Sequence, residues 1–478
     1  MNYRMILRSL GLIVLCVAAL MLLPLIAGLC YGERVLHFIV TIAIGAALGA
    51  ALLCIKPKTD RLTAKEGFLI VALGWIVLSL LGALPFFLSG EIPNYIDALF
   101  ETVSGFTTTG ASIHPDPQSM SRGNLFWRSF THWIGGMGVL LFIMAVLPMS
   151  GEHQMHIMRA ELPGISVDKL VPRVRQTAKI LYIIYICMTL LQTVLLLGGG
   201  MNFFDALTHA FSTAGTGGFS TKTASIAAFD SLYIEMVCSV FMLLFAVNFN
   251  IYFFILIGNF RSILKNEELR WYILIVTAAV LSISVGISDI YGGFFQGMRH
   301  ALFYVASIIS TTGFATVDYT LWPQYCQFII VLLMFCGACA GSTGGGMKVS
   351  RIVILLKSLR KEVHEMAAPR HVRSIRLDGK RLEGSTLRAV HSFFISYMFI
   401  LIGVSFLISF DGHSFATSFT ATLSCISNIG PGLEGVGPLY NYSFFSYPAK
   451  LLLTATMLVG RLEIFPIIVL LSPSAWWR

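Results

Sequence analysis

Four short stretches rich in Gly, Ser and Thr interrupt an otherwise apolar chain, and each contains a glycine at an equivalent place. Irregular segments of this kind expose backbone carbonyl oxygens, which can replace the hydration shell of a cation. Thr hydroxyls add further oxygen ligands. The stretches therefore predict four loops that line an ion path. The candidate ligand residues, loop by loop, are Thr108, Thr109 and Gly110; Thr216, Gly217 and Gly218; Thr311, Thr312 and Gly313; and Asn428, Ile429 and Gly430.

The four stretches belong to an internal repeat, which is best sought before any other feature because it decides the fold. The first two copies share Asn, Asp, Ala and Leu at a constant offset, and this register pairs Gly218, rather than Gly217, with Gly110. The third and fourth copies place Gly313 and Gly430 in the same role. The copies are NYIDALFETVSGFTTTGAS, NFFDALTHAFSTAGTGGFS, FYVASIISTTGFATVD and FTATLSCISNIGPGLEG.

The surroundings of the loops are also repeated. A long apolar segment comes first, then a helix-like segment of about twelve residues, too short to span a bilayer, then the loop and a second apolar segment. Non-helical backbone at membrane depth occurs only where protein buries it or water bathes it. We therefore expect four units, each a span, a re-entrant pore helix and a span, around a pseudo-fourfold pore. The pore helices would aim their partly negative C-terminal ends at the pore, which favours cations.

The composition indicates a membrane protein. Of the 478 residues, 56% are hydrophobic and 12% are charged, whereas soluble domains carry roughly 25% charged residues. The mean hydropathy is +0.79. Ten apolar segments have about the length of a bilayer-spanning helix. They are residues 6–30, 37–55, 68–88, 125–149, 181–197, 232–258, 271–290, 323–356, 389–410 and 444–471.

These segments define the predicted organisation of an all-α polytopic membrane protein. Residues 1–66 hold two N-terminal spans that stand outside the repeat. Residues 67–150, 151–262, 263–360 and 361–478 hold the first to the fourth pore repeat, and the second span of the third repeat is predicted to be broken.

The charge distribution predicts the orientation. Most of the 33 Lys and Arg residues fall in alternate loops, including the basic stretch 348–388. Because cytoplasmic loops carry the excess of Lys and Arg, both termini are predicted to be cytoplasmic and the four filter loops to open outward. The net charge of +9 is therefore concentrated at the inner surface of the lipid bilayer, and because it is divided among short loops, nucleic acid is not an expected partner.

The segment CGACAGSTGGGMK lies in the middle of an apolar run that is far longer than one span requires. Its glycines would unwind a helix just below the filter loops, each at a cost of up to ~1 kcal/mol against Ala. We expect a gating loop here, with a glycine-rich packing kink as the alternative. A mononucleotide loop is excluded because Met347 precedes Lys348, so the required Gly-Lys-Ser/Thr is absent. The candidate gating residues are Gly337, Gly341, Ser342, Thr343, Gly344, Gly345, Gly346 and Lys348.

Arg461 lies deep in the last apolar segment. A charge at this depth is expensive and is typical of function. Below a cation filter, Arg461 would act as an electrostatic barrier. A structural ion pair with Glu463 is the alternative, although residues two apart on a helix do not face each other.

Several other residues give weaker signals. Asp97 and Asp205 begin their short helices, where capping is favoured over attraction of cations to the pore mouth. Glu434 follows the fourth loop and could attract cations. His153 and His156 lack the further ligands of a metal site.

Three more histidines, His132, His209 and His300, have no partner that the sequence identifies. Cys336 and Cys339 have a redox spacing but fit small residues that pack in a span. The basic segment 368–384 is a docking surface for a partner or a patch that attracts anionic lipid.

Together these motifs resemble the Trk/Ktr/HKT superfamily of potassium transporters, and within it the membrane subunit of bacterial Trk systems. SGFTTTGAS, GGFST, STTGFATVD and SNIGPGLEG resemble its four filter loops, and GSTGGGMK and GRLEIF resemble further family motifs. The resemblance covers essentially the whole chain. It implies a homodimer in the bacterial inner membrane with one pore per subunit. It also implies a cytosolic TrkA-like ring that binds the regulatory nucleotide, so that K⁺ is the transported ion and no covalent cofactor is needed here.

The resemblance also sharpens the expected selectivity. In plant relatives a Ser in the first loop accompanies sodium permeability, so Gly110 favours potassium. The predicted function is gated, K⁺-selective uptake. A proton- or sodium-coupled symporter and a less selective K⁺/Na⁺ pathway are the alternatives. A membrane enzyme is disfavoured because the sequence shows no convergent nucleophile, base and orienting residue, nor a set of metal ligands.

Overall fold

The computed structural model describes residues 1–56, 63–138, 174–368 and 374–473. Two N-terminal spans precede the repeats. The first consists of α1 (Tyr3–Leu20) and α2 (Leu22–Cys30), and the second is α3 (Leu36–Leu53). Gly11 and Gly49 let α1 and α3 approach closely, because a Cβ atom on Gly49 would lie 3.0 Å from the carbonyl oxygen of Gly11. Small residues are the usual means of such contact between spans.

The fourfold repeat is present as three helices per unit. The outer helices that open the four repeats are α4 (Ala64–Leu88), α7 (Val174–Gly198), α12 (Glu267–Ile287) and α16 (Gly384–Ile408). The short pore helices are α5 (Tyr95–Phe106), α8 (Phe203–Ala214), α13 (Phe294–Ile309) and α17 (Phe415–Ser427). The helices that follow the filter loops are α6 (Arg122–Gly136), α9 (Leu232–Phe245), α14 (Gln324–Cys336) and α18 (Tyr447–Arg461). This is the predicted arrangement of span, pore helix and span.

The structure contains four further α-helices and two strands among the described residues. They are α10 (Phe249–Leu256), α11 (Phe260–Leu264), α15 (Val349–Ala367), α19 (Phe465–Leu471) and the strands β1 (Arg376–Leu377) and β2 (Lys380–Arg381). The two strands form an antiparallel hairpin in the predicted cytoplasmic segment. The chain is therefore a polytopic helical protein with one small hairpin that the all-α prediction did not include. The repeat boundaries given above stay predictions.

The predicted second spans differ most from the structure. Among the described residues, six helical segments are long and apolar enough to cross a membrane, and a seventh is added if α9 and α10, which meet at 91°, count as one. The predicted spans 232–258 and 444–471 are each interrupted in the structure, since α9 ends at Phe245 before α10 and α18 ends at Arg461 before α19. The predicted break after Cys336 is confirmed. The predicted span 125–149 continues past α6 into residues outside the described part of the chain.

The N-termini of the pore helices correct another prediction. Asn94 and Asn202 cap α5 and α8, with their side chains accepting from the N–H groups of Ile96 and Asp205. The predicted capping role of Asp97 and Asp205 was therefore wrong. Both carboxylates instead bind other parts of the fold. Lys450 lies 2.8 Å from Asp97, and the Thr221 hydroxyl donates to Asp205 over 2.6 Å.

Candidate cation pathway

The four filter loops share one backbone conformation. In each loop, the first or second residue after the pore helix has a positive φ. The glycine two residues further along the chain also has a positive φ. The first position has φ values of 55° (Thr108), 56° (Thr216), 61° (Thr311) and 55° (Asn428). The second has values of 77° (Gly110), 77° (Gly218), 82° (Gly313) and 98° (Gly430). Since residues other than glycine rarely adopt these angles, the shared pattern makes the loops equivalent and pairs Gly218, not Gly217, with Gly110.

A repeated hydrogen bond holds each loop against its own pore helix. The N–H of the residue between the two positive-φ positions donates to the carbonyl of a serine five residues earlier. The pairs are Thr109 to Ser104 (2.9 Å), Gly217 to Ser212 (2.8 Å), Thr312 to Ser307 (2.8 Å) and Ile429 to Ser424 (3.0 Å). Bonds of this type close a helix through a left-handed residue. They turn the N–H groups of the loop backward and leave its carbonyls to point elsewhere.

The glycines close the loops into a ring. A Cβ atom built on Gly110 would lie 1.9 Å from the carbonyl oxygen of Gly217, and one on Gly218 would lie 1.9 Å from that of Thr312. The same distances are 2.2 Å from Gly313 to Ile429 and 2.7 Å from Gly430 to Thr109. Each filter glycine thus contacts the residue that precedes the filter glycine of the next loop. The first loop contacts the second, the second the third, the third the fourth, and the fourth the first. No residue larger than Gly fits this ring without moving backbone.

The carbonyl oxygens in this ring are available for a ligand. Those of Thr109, Gly217, Thr312 and Ile429 accept no hydrogen bond from any described residue. The carbonyl of Gly430 does accept one, from the Tyr442 hydroxyl at 2.6 Å. Oxygen atoms that are buried and unpaired are costly unless a partner binds them, and a dehydrated cation is such a partner.

Side chains brace the ring from behind. The hydroxyls of Thr107 and Thr109 lie 2.8 Å apart, and those of Ser310 and Thr312 lie 2.7 Å apart. Asn428 joins the fourth loop to the first by donating to the hydroxyl of Thr109 over 2.9 Å. These contacts hold the middle residue of the loop without using its carbonyl.

The outer mouth contains a buried ion pair that the sequence did not reveal. Arg128 lies 2.6 Å from Glu101, and the side chains are 3% and 0% exposed. Arg128 also donates to the carbonyl of Ser220 (2.9 Å) and covers the ring of Phe219 at 3.6 Å. Glu101 accepts from the N–H of Ile113 (2.7 Å). The pair therefore links the first pore helix to the segments that follow the first and second filter glycines.

The outer segments are also joined at the surface. The Thr223 hydroxyl donates to Asp116 over 2.6 Å, and this hydrogen bond lowers the pKa of the Asp116 carboxyl. Glu434 accepts hydrogen bonds from Ser414 and Thr417 at the start of α17. Its carboxylate thus secures the fourth loop to its pore helix, in addition to the charge that the sequence suggested it would present.

The predicted gating loop lies directly beneath the ring. Between α14 and α15 the chain takes positive φ at Gly337, Gly341, Gly346 and Lys348. The N–H of Gly345 donates to the hydroxyl of Thr311 over 2.7 Å, which ties the loop to the third filter loop. A Cβ atom on Gly345 would lie 2.2 Å from the carbonyl oxygen of Ser427, so the loop also presses against the fourth pore helix.

The loop is anchored at both ends by one carboxylate. Glu268 of α12, 6% exposed, accepts from the N–H of Ala340 (2.7 Å) and from that of Ser350 (3.0 Å). Near its middle, the Thr343 hydroxyl donates to the carbonyl of Phe245 (3.2 Å), and the ammonium of Lys348 donates back to the carbonyl of Gly344. Ser342 contacts Cys339 within the loop through its hydroxyl (2.6 Å).

Arg461 crosses the space below the ring. It donates to the carbonyl of Thr343 (3.0 Å), to that of Gly136 (2.7 Å) and to that of Gly135. It also reaches the hydroxyl of Thr108 at 3.4 Å. The alternative ion pair with Glu463 is not formed, because Glu463 pairs with Arg351 of α15. Arg461 therefore connects the first repeat, the gating loop and the filter.

A small cavity lies beside the loop. Its volume is ≈ 40 Å³, and Trp75, Gly344, Lys348, Asn428 and Arg461 are among the residues that line it. That space accommodates about three water molecules. Two cationic side chains, Lys348 and Arg461, and one carboxylate, that of Glu463, thus line a narrow space beneath the filter.

Two of the three histidines without a predicted partner form hydrogen bonds in the structure, and the third makes a ring contact. His132 lies between the carbonyl of Gly105 and the N–H of Phe219. His209 lies between the carbonyl of Asp205 and the hydroxyl of Ser220. His300 packs on Tyr291 with ring centroids 4.3 Å apart. No sequence signal identified these contacts, since each partner is a backbone group or a residue of ordinary type.

The remaining candidates carry no site in the described residues. Cys336 and Cys339 are buried free thiols. No group of three or more His, Cys, Asp or Glu residues that could hold a metal occurs among the described residues. His153 and His156 lie outside them, as does part of the basic segment 368–384.

Comparison with known proteins identifies relatives that are named as transport proteins. A model of the TrkH family, described as cation transport protein, matches residues 33–477. The Trk system potassium uptake protein TrkH of Halomonas elongata is 36% identical over 486 residues, covering 100% of both chains. The protein of that name from Escherichia coli (strain K12) is 36% identical over 484 residues, again covering 100% of both.

A solved structure is similar throughout. The crystal structure of the potassium transporter TrkH from Vibrio parahaemolyticus matches with a TM-score of 0.91 and 33% sequence identity, covering 100% of each chain. These relatives are named as transport proteins, which fits the expectation that the chain is not an enzyme.

Proposed function

The chain belongs to the TrkH family of cation transport proteins, and from that premise we propose that it takes up potassium through a K⁺-selective pore lined by the four filter loops. The observation that carries the proposal is the ring in which each filter glycine contacts the carbonyl of the next loop. Such a ring fixes the positions of its oxygens relative to one another. Carbonyl oxygens arranged in this way replace the hydration shell of K⁺.

Selectivity depends on the four glycines together. Gly110, Gly218, Gly313 and Gly430 have positive φ and lack space for a side chain. A Ser at any of them would strain the backbone and push a neighbouring carbonyl away. K⁺ and Na⁺ differ in the oxygen arrangement they require, so a displaced carbonyl lowers the preference for K⁺.

Flux is controlled below the filter. The loop 337–348 and the Arg461 side chain contact the filter loops at Thr311 and Thr108, and in this proposal both withdraw before K⁺ passes into the cytoplasm. We expect a cytosolic TrkA-like ring that binds nucleotide to drive this movement, and the chain to act as a homodimer in the bacterial inner membrane. Both termini and the hairpin β1–β2 would then face the cytoplasm, where Lys and Arg are concentrated.

The proposal is tested by flux of K⁺ and Na⁺ into proteoliposomes, with and without the nucleotide-binding partner. Gly110→Ser is compared with Gly90→Ser, because both glycines have a φ of 77° but nothing lies within 4 Å of a Cβ on Gly90. We expect a K⁺ preference in the native protein and in Gly90→Ser, and its loss in Gly110→Ser.

Equal K⁺ and Na⁺ flux in all three proteins would contradict the filter assignment. K⁺ uptake that moves a stoichiometric number of protons or sodium ions in the same vesicles would replace the pore by a coupled symporter.

A further inference from the structure

The second filter loop differs from the others at its middle residue. Where the first, third and fourth loops have Thr109, Thr312 and Ile429, the second has Gly217. Gly217 is not among the residues with positive φ, so its backbone does not require glycine. Its lack of a side chain has another cause.

That cause is the ring of His132, which projects from α6 of the first repeat. A Cβ atom on Gly217 would lie 2.3 Å from both Cγ and Nδ1 of His132, and 2.5 Å from Cδ2. Real carbon atoms do not approach so closely at any of these positions. The imidazole therefore occupies the space that a Thr or Ile side chain takes in the other loops.

His132 also holds the loop by hydrogen bonds. The side chain is fully buried. Its Nδ1 lies 2.7 Å from the carbonyl oxygen of Gly105 in the first pore helix, and its Nε2 lies 3.3 Å from the amide nitrogen of Phe219, directly after the filter glycine. Its ring packs on the Phe219 ring with centroids 4.2 Å apart.

These partners fix the chemical form of the ring. The Gly105 carbonyl only accepts, so Nδ1 carries the hydrogen, and the Phe219 N–H only donates, so Nε2 presents its lone pair. An imidazolium would place a second N–H against that of Phe219. The geometry thus selects a neutral imidazole beside the cation path, where a positive charge would repel the ion.

We propose that His132 is a positioning residue for selectivity: it replaces, from another repeat, the missing side chain at position 217 and sets the second filter loop. The inference rests on the proposed K⁺ pore and deepens it. In the first and third loops the corresponding role belongs to the hydroxyl pairs Thr107–Thr109 and Ser310–Thr312. The pore is therefore fourfold in backbone and asymmetric in its support, and residues 132 and 217 must fit each other.

The test is a double-mutant cycle on the full chain, with the K⁺/Na⁺ flux ratio as the readout. His132→Ala and Gly217→Thr should each lower the ratio by about tenfold, which corresponds to ~1.4 kcal/mol of lost preference. The double variant should regain most of the native ratio, because Thr at 217 can then fill the space left by His132. His132→Gln, whose amide can donate to Gly105 and accept from Phe219, should retain more preference than His132→Ala.

Three outcomes would overturn the inference. They are a double variant whose loss is the sum of the two single losses, single variants with a native ratio, and a His132→Gln variant no better than His132→Ala.

If Gly217→Thr does not fold, thermal unfolding of His132→Ala in K⁺ and in Na⁺ decides, because a selective site stabilises the folded protein more in its own ion. A native K⁺-over-Na⁺ difference in that variant contradicts the inference. Absence of K⁺ preference in the native chain would instead contradict the proposed function.

Discussion

The filter ring and the segment beneath it are built on opposite principles. The ring is made four times with the same φ pattern and the same bond to a pore-helix serine. The segment beneath occurs once, and its contacts come from unrelated parts of the chain. Non-glycine residues with positive φ occur in both regions, at Lys348 (77°) beneath and at Thr108, Thr216, Thr311 and Asn428 (55–61°) in the ring.

From this difference we expect the filter ring to be rigid and the segment beneath it to move. Residues held at such angles cost of order 1–3 kcal/mol each and persist only because their surroundings hold them. The ring has little to gain from moving, since each loop is pinned by its pore helix and by its neighbour. The segment beneath is instead held by single hydrogen bonds from separate parts of the chain, such as those to Glu268 and Thr311, and breaking them releases it. Changes in the ring should therefore affect stability and selectivity, and changes beneath it should affect flux.

The largest effect is expected at the outer brace of the ring. Arg128→Gln leaves the Glu101 carboxylate buried without its cation, and breaking a buried pair in this way costs about 3–5 kcal/mol. The expected result is a large fall in the midpoint of thermal unfolding in detergent, with loss of K⁺ preference in whatever protein remains folded.

Lys222→Gln is the matched control for that variant. Lys222 lies 3.9 Å from Asp205 and is 29% exposed, so its removal should change stability by less than ~1 kcal/mol. Equal midpoints for the two variants would show that the brace does not hold the ring.

A second prediction concerns the charge beneath the ring. Two unit charges ~8 Å apart at an effective dielectric constant of ~20 repel by ~2 kcal/mol. Arg461→Gln should therefore raise K⁺ flux through the chain by roughly thirtyfold, with little change in the K⁺/Na⁺ ratio. Arg461→Lys keeps the charge and should keep the flux low. A low flux in both variants would mean that the backbone of the loop, and not the charge, is the barrier.

The sequence predicted what is local. The filter loops could be found because the second positive-φ position of each loop has no room for a side chain and holds Gly, and glycines at equal places in four copies are visible without a structure. The unwinding at 337–348 could be found for the same reason. The bend after Phe245 could not, because residues 246–248 contain neither Gly nor Pro.

That bend depends on tertiary contacts. The backbone groups freed at the bend must be satisfied, and the gating loop satisfies them. Cys339 donates to the carbonyl of Ala246 (3.0 Å), and Phe249 donates to that of Gly341 (3.0 Å). The partners of Arg461 and His132 were missed for a related reason. Most of them are backbone carbonyl groups of distant segments, and every residue type has such a group, so the sequence does not identify them. The carbonyls become visible only when the repeats are assembled.

A third prediction tests the anchor of the gating loop. Glu268→Ala removes the acceptor of two buried N–H groups, each worth ~1–3 kcal/mol when left unsatisfied. Because part of this loss falls on the closed position of the loop alone, K⁺ flux should rise by about tenfold. Glu267→Ala is the control, since Glu267 makes a partly exposed pair with Lys357 that is worth less than ~1 kcal/mol. Equal flux in both variants would remove Glu268 from the gate.

The smallest effect is expected at the contact that joins the two regions. The Thr311 hydroxyl accepts from the N–H of Gly345 (2.7 Å), and it is the side chain of a filter residue. Thr311→Val keeps the branched shape at a φ of 61° but removes the hydrogen-bond acceptor. The closed position of the gating loop should therefore be destabilised by ~1 kcal/mol, and K⁺ flux should rise by about fivefold. Thr311→Ser keeps the hydroxyl and should keep the native flux. If Thr311→Val changes the K⁺/Na⁺ ratio and leaves flux unchanged, the hydroxyl serves the filter and not the gate, and the two regions are mechanically independent.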